Sequence, residues 1–297
     1  MQKNNQKFKI FFFLLPSIIL MLLFVFYPMI KTIIISFITP SGKFNLSNYT
    51  YTYGLESFSI AMTNTIIYTI VVTSSELLLA FVISYALSQK IKFKNTFQTI
   101  FFLPYVTSVV AIGAVFQVMY NSEYGIINQL LNNIGITPIA WLGAEHALLA
   151  TIILGIWKGL AFNILILFTA FSTIDPNLEK AAILDNFSNI NIFLKIKFPQ
   201  IKGVVAYLLT MNIIFNIKVY EEVVSLFGPL VAGPGGSDNT VVYMISKMTL
   251  EDPAVAAVLA VTLLIIVILI RILMILSTKI FKYLGNKEER IVGEKNE

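Results

Sequence analysis

The side chains that could do chemistry in this chain are few, and most sit in apolar surroundings. Glu76, Lys158, Asn163, Asn212 and Asn216 lie within or near runs of apolar residues, and the Glu221-Glu222 pair lies at the end of another. Ionisable groups in such runs are costly and normally face a cavity or a partner. These seven residues are therefore the candidates for a polar path through the protein, with helix pairing through polar groups as the competing use. No Ser-His-Asp set and no catalytic pair of carboxylates emerges, so no catalytic residue is assigned and no enzyme is expected. The sequence has no cysteine and one histidine, His146, which excludes disulfides, thiolate chemistry and Cys/His metal sites. No metal site is expected in this chain. His146 stands beside Glu145 at the start of an apolar run and reads as a helix end. GPGGSDNT, from Gly233 to Thr240, is glycine-rich, yet neither it nor any other stretch contains GxxxxGK[ST], so a phosphate loop is not expected. It suits a connector or a loop reaching over a path.

Such polar groups need a scaffold, and the composition shows what solvent that scaffold meets. Of 297 residues, 57% are hydrophobic and 12% charged, against about 25% charged in globular domains. Six apolar segments are long enough to cross a bilayer: Ile10 to Phe37, Thr65 to Leu87, Thr99 to Tyr120, Ala147 to Ile174, Val204 to Phe227 and Ala254 to Ile280. Strands of a barrel would alternate in polarity, whereas Leu259 to Ile270 is apolar at almost every position. The fold expected is all-α, a polytopic membrane protein of six transmembrane helices, since only a helix satisfies a lone spanning backbone. The first segment is too long for a signal-peptide core and lacks an A-x-A site, so it reads as an anchor. Pro16 and Pro104 fall inside apolar runs and predict kinks.

The basic residues alternate between connecting segments. Lys3, Lys7 and Lys9 precede the first span; Lys90, Lys92 and Lys94 follow the second; Lys180, Lys195, Lys197 and Lys202 follow the fourth; and Lys279, Lys282, Lys287, Arg290 and Lys295 follow the sixth. The other loops carry only Lys43, nothing between Asn121 and Glu145, and Lys247. The positive-inside rule then predicts both termini in the cytoplasm. The net charge of +5 thus records topology rather than a nucleic-acid partner. Tyr27, Tyr49, Tyr51, Tyr53, Tyr120, Tyr124 and Trp141 fall near span ends and predict interfacial belts. The expected organisation is a cytoplasmic tail over 1–9, a transmembrane domain over 10–281 with a cytoplasmic loop at 175–203, and a cytoplasmic tail over 282–297.

That loop, within STIDPNLEKAAILDNFSNINIFLKIKFPQIKG from Ser172 to Gly203, is longer than a simple turn requires. Asp175-Pro176 suits a helix start, and Asn186 can enter the left-handed region that would end this helix. A second helix is expected from Ser188, exposing Ile190, Phe193 and Leu194 on one face and stopping at Pro199. Both would lie at the membrane surface.

Lys180-Ala181-Ala182, Asp185-Asn186, then Phe193, Ile196 and Phe198-Pro199 resemble the EAA loop of binding-protein-dependent ABC importer permeases. That loop reads E-A-A, two residues, D-G-A, then F, I and L-P, and the spacing from Asp185 to Phe193 and Pro199 matches it. Elsewhere, Phe13 to Ile30, Phe101 to Leu131, Ile156 to Leu167 and Tyr220-Glu221-Glu222-Val223 with GPGGSDNT resemble spans and loops of the sugar and glycerol-3-phosphate permeases of that family. Three positions depart from the pattern: Lys180 replaces Glu, Asn186 replaces Gly, and Phe187 replaces Ala.

The resemblance implies a type I importer permease in a bacterial cell membrane, with a second, similar membrane subunit, two ATPase subunits that bind ATP and Mg, and an extracellular solute-binding protein. The cargo it implies is a sugar or oligosaccharide. Glycerol phosphate is the alternative, because Lys158 and Lys218 could meet an anion. The loop from Lys180 to Pro199 would couple to the ATPases, its alanines at the docking face. The rival class is an ion-coupled secondary transporter with Glu76 as carrier.

Overall fold

The computed structural model describes residues 13–39, 42–89, 94–228 and 240–294. The start of the first apolar segment at Ile10, the lysines Lys3, Lys7 and Lys9, Lys90, Lys92, GPGGSDNT up to Asn239, and Lys295 lie outside them. Apart from one isolated bridge between Ile38 and Phe44, every described element is a helix. Five of these helices are long and apolar enough to cross a membrane, and a bent pair of helices makes six if it counts as one span.

The first, α1, is Phe13–Phe37. It widens into a π-turn at Leu22–Phe26, just before Pro28. A proline inside a helix lacks its N–H and crowds the carbonyl four residues back; one wider turn relieves both. The short α2, Ser47–Gly54, is pinned to the end of α1 by Asn48, whose Nδ2 donates to the carbonyls of Ser36 at 3.2 Å and Ile38 at 2.9 Å. Next, α3 is Glu56–Ser88. Its 33 residues extend about 50 Å, longer than the hydrocarbon layer of about 30 Å.

The expected third span, Thr99 to Tyr120, is not one helix. It is α4, Lys94–Val106, followed by α5, Val109–Met119, with a 99° bend between them. The break comes after Pro104, at Ser108, whose ψ of 130° is extended, and Thr107 Oγ1 donates to the Leu103 carbonyl there at 2.8 Å. After α6, Ile126–Asn133, comes α7, Ala147–Ser172, with His146 at its N-cap position as expected. Tyr120 and Trp141 are buried and stack at 5.4 Å. They do not form a lipid-facing belt: Tyr120 Oη donates to the Ala150 carbonyl at 3.0 Å and Trp141 Nε1 to Asn128 Oδ1 at 2.9 Å, so each polar tip finds a partner inside the chain.

α8 is Pro176–Leu184. The helix after it, α9, is Asn189–Asn216, and it corrects the expectation that Pro199 stops a surface helix. A π-turn at Phe193–Lys197 precedes Pro199, as one precedes Pro28, and the helix runs through it. The second half of the expected 175–203 loop is therefore the beginning of a span. Conversely, the expected span Val204 to Phe227 breaks at Ile217–Tyr220, and α10, Glu221–Phe227, is separate. Gln117 of α5 caps that short helix, donating to the carbonyls of Ser225 at 3.0 Å and Leu226 at 2.9 Å. α11 is Val241–Glu251, and α12 is Pro253–Glu294, of which Pro253–Leu276 is the apolar span.

α3 runs through the middle of this arrangement. Ala80 and Leu87 pack with Ile164 and Leu167 of α7 and Leu208 of α9. Ala61 packs with Val241 of α11 and Leu259 of α12. Away from these seams, Leu78, Val82, Val110 and Leu273 are exposed, a surface that suits lipid rather than water.

Candidate functional site

The candidate path residues meet where α3 packs on the two glycines of α7. Gly155 and Gly159 of α7 are four residues apart and share one face. A Cβ on Gly155 would fall on the Tyr68 hydroxyl, and one on Gly159 would fall on the Glu76 carboxylate. Glycines at this spacing let helix backbones approach within membranes, and here the room is filled by polar groups of α3. Glu76 is 3% exposed.

Amides continue the polar seam onto α9. Asn163 Nδ2 donates to the Gly159 carbonyl at 2.9 Å, and Asn163 Oδ1 accepts from Asn212 Nδ2 at 2.8 Å. One turn further along α9, Asn216 Nδ2 donates to Thr73 Oγ1 at 3.0 Å and lies 3.4 Å from Glu76 Oε2. The break at Ile217–Tyr220 then directs α10 back towards α7. There Lys158 Nζ lies 3.1 Å from Glu221 Oε2 and 2.9 Å from Glu222 Oε1. An ammonium with two carboxylates is already neutralised.

These residues surround one cavity of about 610 Å³, lined by all seven path candidates, Glu76, Lys158, Asn163, Asn212, Asn216, Glu221 and Glu222. The structure thus brings the whole set together. It adds groups that the sequence reading missed: Tyr68, Tyr105, Phe162, Phe215 and Tyr220 line the same space, and Tyr105 and Phe162 stack at 5.8 Å. The signal that could have found the place is Gly155-Ile156-Trp157-Lys158-Gly159, two glycines flanking an intramembrane lysine. No comparable signal marks Tyr105, because it reaches the cavity from α4, across the bend. The arrangement offers aromatic faces, amides and compensated charge, with no group of three or more metal-ligating side chains among the described residues.

The loop after α7 forms a second cluster. Asp175 Oδ1 accepts from the Asn177 amide at 2.9 Å, and Pro176 is the first helical residue, as the sequence predicts. Asn186 has φ 58°, also as predicted. Around it the Asn186 amide donates to the Ile183 carbonyl at 3.1 Å and the Phe187 amide to the Ala182 carbonyl at 3.0 Å, the paired bonds of a left-handed helix stop. Ser188 Oγ caps the next helix, accepting from the Asn191 amide at 3.3 Å.

Two expectations about this loop change. Ala182 is buried within the chain, so it belongs to an internal contact and not to a docking face; Ala181 is the exposed alanine, together with Lys180, Asp185 and Asn186. Phe193 does not share an exposed face with Ile190 and Leu194. Its ring packs against Phe81 at 5.5 Å and Tyr85 at 5.2 Å, because the π-turn begins there and carries the chain into the bundle. Phe198 lies 6.2 Å from the Phe81 ring, and Pro199 is exposed. Leu184 and Ile190 remain the most exposed apolar side chains of the loop, at 84% and 70%.

Residues 76–282 match the family described as binding-protein-dependent transport system inner membrane components. The chain is similar to the arabinooligosaccharides transport system permease protein AraP of Bacillus subtilis, 29% identical over 94% of this chain and 91% of that protein. It is similar also to the trehalose/maltose transport system permease protein MalF of Thermococcus litoralis, 27% identical over 77% of this chain and 79% of that one. In fold it resembles a chain of a bacterial alginate ABC transporter, solved in complex with an alginate pentasaccharide-bound periplasmic protein, with TM-score 0.79, 20% identity, and coverage of 92% of this chain and 94% of that one.

Proposed function

The chain belongs to the binding-protein-dependent transport system inner membrane components, multi-pass membrane proteins of ABC transporters, and from that premise we propose that it forms half of the path by which an importer takes up a neutral carbohydrate. The observation that carries this reading is the convergence of seven polar residues and five aromatic side chains on one cavity of about 610 Å³. A sugar ring presents apolar C–H faces and a rim of hydroxyls, which aromatic faces and amides can meet. The names of AraP and MalF, transporters of arabinooligosaccharides and of trehalose and maltose, support the same class.

An anionic cargo such as glycerol phosphate fits less well. Lys158, the cation once available to it, is held by Glu221 and Glu222. Family membership also sets aside the ion-coupled rival.

In this reading a second, similar membrane subunit closes the cavity, two ATPase subunits supply ATP and Mg, and an extracellular solute-binding protein delivers the cargo. The lysine distribution supports cytoplasmic termini in a bacterial cell membrane, with the Pro176 to Ser188 turn facing the ATPases. The aromatic lining is tested by Phe162→Ala in the assembled transporter in vesicles, with maltose, trehalose, arabino-oligosaccharides and a uronic oligosaccharide as probes. Uptake of one neutral probe by the unsubstituted transporter and at least tenfold less by the variant is expected. Uptake of the uronic probe alone, or a variant indistinguishable from the parent, would overturn the reading.

A further inference from the structure

Lys197 is a lysine inside the protein. It is 6% exposed, ends the π-turn within α9, and matches no position of the loop motif. Its ammonium lies 2.8 Å from Glu179 Oε1 on α8 and 5.4 Å from the Tyr85 ring centroid on α3. A lysine normally keeps its charged head in water. Here the charge is held by one carboxylate and one aromatic face, and each belongs to a different helix.

The rings around it connect the same elements. Tyr85 packs against Phe171 of α7 at 5.7 Å and Phe193 of α9 at 5.2 Å, and Phe81 packs against Phe171 at 5.6 Å. By contrast, the outer side of α8 carries exposed Ala181 and Leu184. Ala182 is the buried alanine of α8, and Glu179 makes this helix's one charged contact with the bundle among the described residues.

We propose that Lys197 is the positioning residue that makes α8 move with α3 and α9 as one body, so that displacement of α8 by an ATPase subunit reaches the spans. The coupling role rests on the importer reading; the mechanical tie does not. A buried ion pair is a weak source of net stability but a strong specifier of one arrangement, because any alternative strands a charge. The two partners differ in this respect. Removing Lys197 leaves Glu179, whose side chain is 39% exposed and can turn to water, whereas removing Glu179 leaves Lys197, whose side chain is 8% exposed. Glu179→Gln is therefore the more disruptive single change.

The test uses the absence of native cysteine. Spin labels at Asn177→Cys on α8 and Leu209→Cys on α9, both exposed, report the separation of the two bodies. The full chain is measured in lipid nanodiscs and, copurified with its partner subunits, with and without ATP and vanadate. A narrow distance distribution, equally narrow in both nucleotide states, is expected for the parent. Lys197→Met should broaden it at least twofold and lower transport per ATP at least tenfold while the subunits still copurify. Lys197→Arg should keep the narrow distribution, because it keeps a cation against both Glu179 and the Tyr85 ring, which a side chain serving only as filler would not require. An unbroadened Lys197→Met variant, or a Lys197→Arg variant as broad as Lys197→Met, would overturn the proposal. If no ATPase subunit copurifies with the parent, the importer reading fails, while the nanodisc measurement still reports on the tie.

Discussion

Gly159 has no side chain because the Glu76 carboxylate occupies the place where one would begin. The expected cost of filling it follows from overpacking, about 1 to 3 kcal/mol. Gly159→Ala should lower the thermal unfolding midpoint in detergent and loosen the α3 and α7 contact that shapes the cavity. Gly203, on α9, is the internal control: a Cβ there meets open space, and replacing glycine by alanine in a helix gains up to about 1 kcal/mol. Gly203→Ala should therefore leave the midpoint unchanged or raise it. Equal loss in both variants would mean that Glu76 does not sit against α7 as described. At the same scale, Lys158→Met removes the cation between Glu221 and Glu222 and leaves adjacent carboxylates without compensation. Transport should fall, and Lys158→Arg should retain more of it, since the charge stays.

At the scale of elements, the turn between α8 and α9 separates geometry from chemistry. Asn186 stands at φ 58°, where a β-branched side chain is strained by about 1 to 3 kcal/mol. Asn186→Val should destabilise the loop and Asn186→Gly should not, as read by proteolysis at Ile183 to Ser188. The two alanines should part in the same way. Ala181 is exposed and Ala182 buried, so Ala181→Trp should block copurification of the ATPases from a folded chain, while Ala182→Trp should disturb α8 itself. Lys180→Ala should be mild, because an exposed ion pair contributes about 0 to 1 kcal/mol.

This element also shows what was legible in the sequence. Asp175-Pro176, Asn186 and Ser188 were readable because caps and left-handed stops depend on a few neighbouring atoms. The passage of α9 through Pro199 was not, since a π-turn that accommodates a proline leaves no composition behind. The 99° bend between α4 and α5 and the break at Ile217–Tyr220 were hidden likewise: apolar composition marks a segment as lipid-compatible without saying whether its helix is continuous. The polar path residues stood out one by one, as charges and amides in apolar runs. Their meeting at one cavity required the helix packing, and the aromatic lining carried no signal, because aromatic residues in such a chain more often meet lipid or core.

At the scale of the whole molecule, the lysine distribution predicts that the segment at Asn121 to Glu145 faces outside and the turn at Pro176 to Ser188 faces the cytoplasm. Ser122→Cys and Ser188→Cys in the cysteine-free chain should react with an impermeant thiol reagent in right-side-out vesicles at the first site only, and the opposite labelling would invert the topology. What remains is whether this chain is one part of an ATP-driven path. The direct measurement is uptake of neutral oligosaccharide into proteoliposomes holding either this chain alone or the chain with its copurified subunits and binding protein. Uptake should require the full assembly and ATP, and vanadate should stop it. Uptake by the single chain along an imposed proton gradient, without nucleotide, would contradict the importer reading outright.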